Sequence, residues 1–176
     1  MNPFTGLIQS LAAVIEKQVK LLGQFNIGCV IVGGVAATLY GSEIPTTDID
    51  ICYARNPQNL ARLADALKSV NTRLRGAPQD EPFIMDAETL QRGLNFTFTS
   101  DIGSLDLLGE VRGVGYYEEV LEGSVTYELF GYQFPVMEIG KLIIAKCAAG
   151  RPKDLITIPE LEAIQEAHLP DRSDRN

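Results

Sequence analysis

Asp48 and Asp50 stand one residue apart in the apolar run "TTDIDICYA". Two carboxylates this close repel each other, and burying them is costly unless a cation offsets their charge. The run reads as a strand, in which alternate side chains share a face, so both carboxylates point one way, about 7 Å apart. Ile49 and Ile51 then point into the core. Such a platform offers hard oxygen donors to Mg²⁺ or Mn²⁺, and Mg²⁺ commonly takes one or two carboxylates together with substrate phosphates. Two cations held about 3.5–4 Å apart need a third carboxylate. Asp106 in "SLDLLGE" is the candidate, because Leu105 and Leu107 face one side of a second strand while Ser104, Asp106 and Leu108 face the other. Taken alone, an Asp-x-Asp pair fits a solvated edge or a turn cap at least as well.

Upstream, Gly33 and Gly34 in "GCVIVGGVAATLYG" end a strand and open a helix. Backbone N–H groups and a helix N-terminus in that geometry hold phosphate, although glycine pairs also serve plain tight turns. Downstream, Lys141 to Lys153 holds four basic residues and no acidic one. Lys146, Arg151 and Lys153 flank a helix break and can project together onto a triphosphate, arginine bidentately and lysine as a point charge. Their bland reading is complementation of a helix dipole, with Asp154 doing the same in the first turn of the next helix. His168, the lone histidine, lies near a helix end and offers no nucleophilic triad. Tyr116 and Tyr117 could stack on a base, but packing is the simpler role for them.

These residues need a frame. Apolar residues at helical spacing predict a helix over 5–25. "GCVIVGG" predicts a buried strand, "VAATLYG" two helical turns closed by Gly41, and "TDIDICYA" a second strand. Asn56 as N-cap and Pro57 at the first helical position start a helix. Residues 71–93 are the least legible: "RGAPQDEPF" reads as loop and "DAETLQRG" as a short helix capped by Asp86. "LNFTFTS" and "SLDLLGEV" read as a hairpin around "DIG", "GVGYYEEVLEGS" as a connection, and "VTYELFGYQFPVM" as two strands around Gly131. "IGKLIIAKCAAG" is a helix stopped by Gly150, and Pro152 begins another that runs to about His168. The expected fold class is α/β (α+β), a mixed sheet flanked by helices, as one domain over 1–170 with a flexible tail at 171–176.

The 176-residue chain is 45% hydrophobic and 22% charged, ordinary values for a soluble protein. It has no apolar run long enough to span a membrane. "MNPFTGLIQSLAAVIEKQVK" lacks the basic region of a signal peptide. Cys29, Cys52 and Cys147 have no metal-ligand spacing and read as small buried hydrophobes, so a reducing compartment, the cytoplasm, is expected. The net charge of −8 argues against broad electrostatic binding to a nucleic-acid backbone but leaves room for a local basic patch.

"VGGVAATLYGSEIPTTDIDI" resembles the signature of the nucleotidyltransferase (DNA polymerase β-like) superfamily: Gly-Gly or Gly-Ser at a strand–helix turn, then Asp-hydrophobic-Asp-hydrophobic. "KLIIAKCAAGRPKDL" is similar to a segment of small bacterial members, including the abortive-infection toxins of type IV toxin–antitoxin systems. The resemblance covers roughly 30–155. It implies that Gly33, Gly34 and Thr46 bind nucleotide together with Lys146, Arg151 and Lys153, and that Asp48, Asp50 and Asp106 are catalytic and hold Mg²⁺ or Mn²⁺. The implied reaction moves a nucleotidyl group from a nucleoside triphosphate to RNA, a protein or a small molecule. A toxin role would bring an antitoxin partner. Many members carry Arg-x-Thr-x-Asp before the pair, and here Ile44 replaces that arginine. The rival reading is a non-catalytic nucleotide-binding or interaction protein on the same scaffold.

Overall fold

The computed structural model describes residues 3–78 and 83–168. The expected tail at 171–176 and part of the expected loop, 79–82, lie outside them. In chain order the elements are α1 (Pro3–Gln24), β1 (Cys29–Val32), α2 (Gly33–Tyr40), β2 (Asp48–Tyr53), α3 (Pro57–Ser69) and β3 (Arg73–Leu74). Next come α4 (Ala87–Arg92), β4 (Asn95–Ser100), β5 (Gly103–Leu108), β6 (Glu110–Val111), β7 (Gly115–Tyr116) and α5 (Tyr117–Leu121). The chain continues with β8 (Val125–Leu129), β9 (Tyr132–Val136), α6 (Ile139–Ala149) and α7 (Pro152–His168).

Among the described residues, seven strands form one mixed sheet in the order β3-β4-β5-β2-β1-β9-β8, and β6 and β7 make a separate small ribbon. β2 runs parallel to β5 and antiparallel to β1, and β1 runs parallel to β9. The fold is therefore a mixed α/β sheet flanked by helices, the class the sequence predicts. The central strands are the most apolar segments, and Val30, Ile31, Ile49, Ile51 and Leu107 are fully buried.

Local chemistry sets the boundaries. Asn56 caps α3 by accepting from Asn59 N at 2.9 Å, with Pro57 in the first turn, and Asp86 caps α4 by accepting from Thr89 N at 2.7 Å. Gly41 and Gly150 close α2 and α6 in the left-handed region that glycine enters without a Cβ penalty. Asn59 is wholly buried. Its side chain accepts from Gly28 N and donates to Gly28 O and Ala54 O at 2.7–2.9 Å, clamping the start of β1 to the end of β2.

Three differences from expectation stand out. The connection after β5 folds into β6, β7 and α5, where the Glu119 carboxylate accepts from Tyr116 N at 2.9 Å. The barely legible region yields β3, a two-residue edge strand too short to carry a period. Cys147 is exposed on α6, whereas Cys29 and Cys52 are buried with thiols pushed up to about 12, mainly by desolvation. No described helix is long and apolar enough to cross a membrane.

Candidate active site

Strand register gathers the carboxylates. In the parallel β2–β5 pair, Asp48 lies opposite Ser104 and Asp50 opposite Asp106. Paired residues on strands about 4.8 Å apart share a face, so Asp106 stands beside Asp50 and one strand over from Asp48. The alternate residues Ile49, Ile51, Leu105 and Leu107 are 0–1% exposed on the opposite face. The crowding shows in proton affinity. Asp50 rises from an ordinary 3.8 to about 6, first through burial and then through repulsion from Asp106; the Gly34 N–H and Lys153 pull the other way, and Asp48 adds to the rise. Asp106 is also raised, chiefly by burial, against the opposing pull of Arg75.

Arg75 carries no motif in the sequence. It follows β3, where its backbone N–H donates to Thr97 O at 2.9 Å. Its side chain reaches over β4 to put Nη2 2.8 Å from Asp106 Oδ1 and 3.6 Å from Asp48 Oδ2. Among the described residues, no three His, Cys, Asp or Glu side chains are already gathered as a metal-ligand set. The Asp48 carboxylate accepts from Thr47 Oγ1 and faces Arg75, and Asp50 turns toward Gly34. The donors nonetheless suit a divalent cation: all are hard oxygens on one sheet face, and one guanidinium already bridges two of them.

The glycine turn is needed for close approach. Val32, the last residue of β1, pairs with Asp50, so the chain entering α2 must pass over that carboxylate. Gly33 takes φ +63°, and a Cβ there would collide with the Asp50 carboxylate. A Cβ on Gly34 would strike the Thr46 side chain. Gly34 N faces Asp50 Oδ2 at 3.4 Å, a long contact, and the N-terminus of α2 has no side-chain cap. Thr46 Oγ1 donates to Asp48 O at 3.2 Å, which fixes the approach to β2.

The basic residues converge from the α6–α7 corner. Asp154, 1% exposed, accepts from Arg151 Nε at 2.6 Å and meets Lys146 Nζ at 3.5 Å. Burial favours protonation of Asp154, but the two cations outweigh it and leave the carboxylate below its ordinary range. Asp154 does lie in the first turn of α7, yet its principal partners are these side chains. They join the glycines at one cavity of about 570 Å³, lined by Gly33, Gly34, Thr46, Asp48, Asp50, Lys146, Arg151 and Lys153. Ile44 lines it too, as do Asn95, Glu110 and Arg112, which sequence patterning did not single out. Asp106 is not on its wall and sits under Arg75. Tyr116 and Tyr117 do not line it either.

The mixed sheet and its flanking helices match the fold of a solved nucleotidyltransferase. A similar solved structure is the lincomycin-bound lincosamide antibiotic adenylyltransferase LnuA, at a TM-score of 0.56 and 12% identity, covering 86% of this chain and 96% of that one. No family model and no curated protein matches the chain.

Proposed function

We propose that the protein is a divalent-cation-dependent nucleotidyltransferase that moves a nucleotidyl group from a nucleoside triphosphate to an acceptor hydroxyl. The observation carrying this reading is the register of Asp50 on Asp106 beside Asp48, at the edge of a cavity shared with the glycine turn and with Lys146, Arg151 and Lys153. Charge balance supports it. Among the described residues, the cavity wall holds four cations, Arg112, Lys146, Arg151 and Lys153, against four carboxylates, Asp48, Asp50, Glu110 and Asp154. A triphosphate would find no net positive charge there unless a divalent cation offset the aspartates.

In this reading Asp48, Asp50 and Asp106 hold the cation, which when bound would offset their repulsion and polarise the phosphate under attack. The N-terminus of α2, with Lys146, Arg151 and Lys153, holds the triphosphate. Asp154 keeps Arg151 and Lys146 directed at it. Asp50 or Asp106 accepts the proton of the attacking hydroxyl, and pyrophosphate leaves. The acidic charge balance favours a small hydroxyl compound over RNA as acceptor, in keeping with the neighbour's name as an antibiotic adenylyltransferase. The toxin role, with its antitoxin partner, rests on sequence resemblance alone.

Ile44 on the cavity wall favours the rival, a nucleotide-binding protein without turnover. Pyrophosphate release, measured with Mg²⁺ and each nucleoside triphosphate across a panel of small hydroxyl acceptors, separates the two. Release that is lost in Asp50→Asn supports transfer. Saturable nucleotide binding with no release under any condition would establish the rival.

A further inference from the structure

Arg75 occupies an unusual position for a residue outside the cavity. Its backbone belongs to the edge of the sheet, yet its guanidinium crosses β4 to reach carboxylates on β5 and β2. Nη2 also lies 3.3 Å from Phe98 O. The side chain is 36% exposed, so solvent reaches it and it can leave without opening the core. No other cation is ion-paired to Asp48 or Asp106 among the described residues. Gly76 follows it at φ +80°, and a Cβ there would meet no described residue within 4 Å.

From this we infer that Arg75 is the site's internal counter-cation, competing with a divalent metal ion for the same oxygens of Asp48 and Asp106. The inference rests on the metal-site reading above. The guanidinium holds the two carboxylates together while no metal is present, offsetting the repulsion that would otherwise spread them. It also blocks the Asp106 oxygen it binds, so a free divalent cation must displace it. Arg75 thereby acts as a positioning residue that disfavours binding of the metal alone. Once displaced, the arginine is free to pair with negative charge that a triphosphate brings with the metal, so entry of cation and nucleotide together costs less than entry of the cation alone.

The test is direct Mn²⁺ binding to the full chain without nucleotide, read from the electron paramagnetic resonance signal of free Mn²⁺, for the parent, Arg75→Gln and Arg75→Lys. Metal-free melting curves verify that each is folded. Arg75→Gln should bind Mn²⁺ about tenfold more tightly than the parent, the scale of one charge-assisted bond no longer opposing it. Its metal-free melting temperature should fall, because the carboxylates lose their counter-charge. Arg75→Lys keeps the charge and should stay near the parent, which preserves the comparison with a folded control if the glutamine variant proves unstable: a lysine variant binding Mn²⁺ much more tightly than the parent would contradict competition by charge. If parent and Arg75→Gln bind Mn²⁺ equally, or the variant binds less, the competition is refuted while the metal site stands. If none of the three binds Mn²⁺, the metal-site reading falls and takes this inference with it.

Discussion

At neutral pH the Asp50 carboxylate is ionised against the pull of its surroundings. Its folded-state value of about 6 lies above the ordinary 3.8. Between those values the folded chain keeps a proton that the unfolded chain has lost. The resulting stabilisation is fully present below about pH 4 and disappears as pH rises through 6, a loss of up to about 3 kcal/mol at about 1.4 kcal/mol per unit. Asp50→Asn removes this dependence. Urea unfolding from pH 4 to 7 without divalent cations should show the asparagine variant falling less steeply than the parent and matching or exceeding its stability at pH 7. A variant far less stable at pH 7 would mean that Asp50 is a structural acceptor. Arg151 gives a second test at this scale. Arg151→Ala should weaken binding of a fluorescent nucleoside triphosphate by about 1.5–3 kcal/mol, the worth of a charge-assisted bond. Asp154→Asn should weaken it as well and also cost about 3 kcal/mol of stability, because Lys146, with its side chain only 11% exposed, would be left without its counter-charge. Unchanged nucleotide affinity in both variants would confine this cluster to holding α6 on α7.

The strand–turn–helix element from β1 into α2 converts sequence order into site geometry. β1 ends opposite Asp50, so the first residues of α2 must fit between that carboxylate and Thr46. Gly33→Ala combines left-handed strain with a collision against Asp50 and should cost well over the about 1–2 kcal/mol of strain alone. Gly76→Ala supplies the control, since it meets strain without collision against any described residue and should stay within about 2 kcal/mol. Denaturant unfolding of the pair reads the difference. Equal losses would show that the turn yields to a side chain, and that tight approach to Asp50 is not what glycine supplies there.

On the scale of the molecule, charge is the first selector among acceptors for the proposed transfer. The net charge of −8 sets a repulsive background for any polyanion, and the cavity's cations are matched by its carboxylates. Random-sequence RNA at about 150 mM salt should therefore bind no more tightly than about 10⁻⁴ M, the weak end of non-specific association. Filter binding across a salt series measures it. Micromolar binding with a steep salt dependence would instead point to a basic track and return RNA to the front of the acceptor list.

How much of this was legible depended on whether the signal was local. The Asp48–Ile49–Asp50–Ile51 alternation, the Gly33–Gly34 turn, the Asn56 and Asp86 caps and the α6 stop at Gly150 all express rules that act within a few residues. The sequence therefore determined the α/β class, most elements and the paired carboxylates. It also placed the leucines beside Asp106 on the far face of their strand, because strand periodicity is itself local. Only the tertiary structure decided that β5 lies parallel to β2 with Asp106 opposite Asp50, since strand order comes from how the whole sheet closes its core. It also decided that Asp154 is buried between Arg151 and Lys146, which reads in sequence as an ordinary helix N-terminal acid. Arg75 was invisible for the same reason: it follows a strand too short to show a period, and its partners lie on two strands that chain order separates and only the folded sheet brings within reach of one guanidinium.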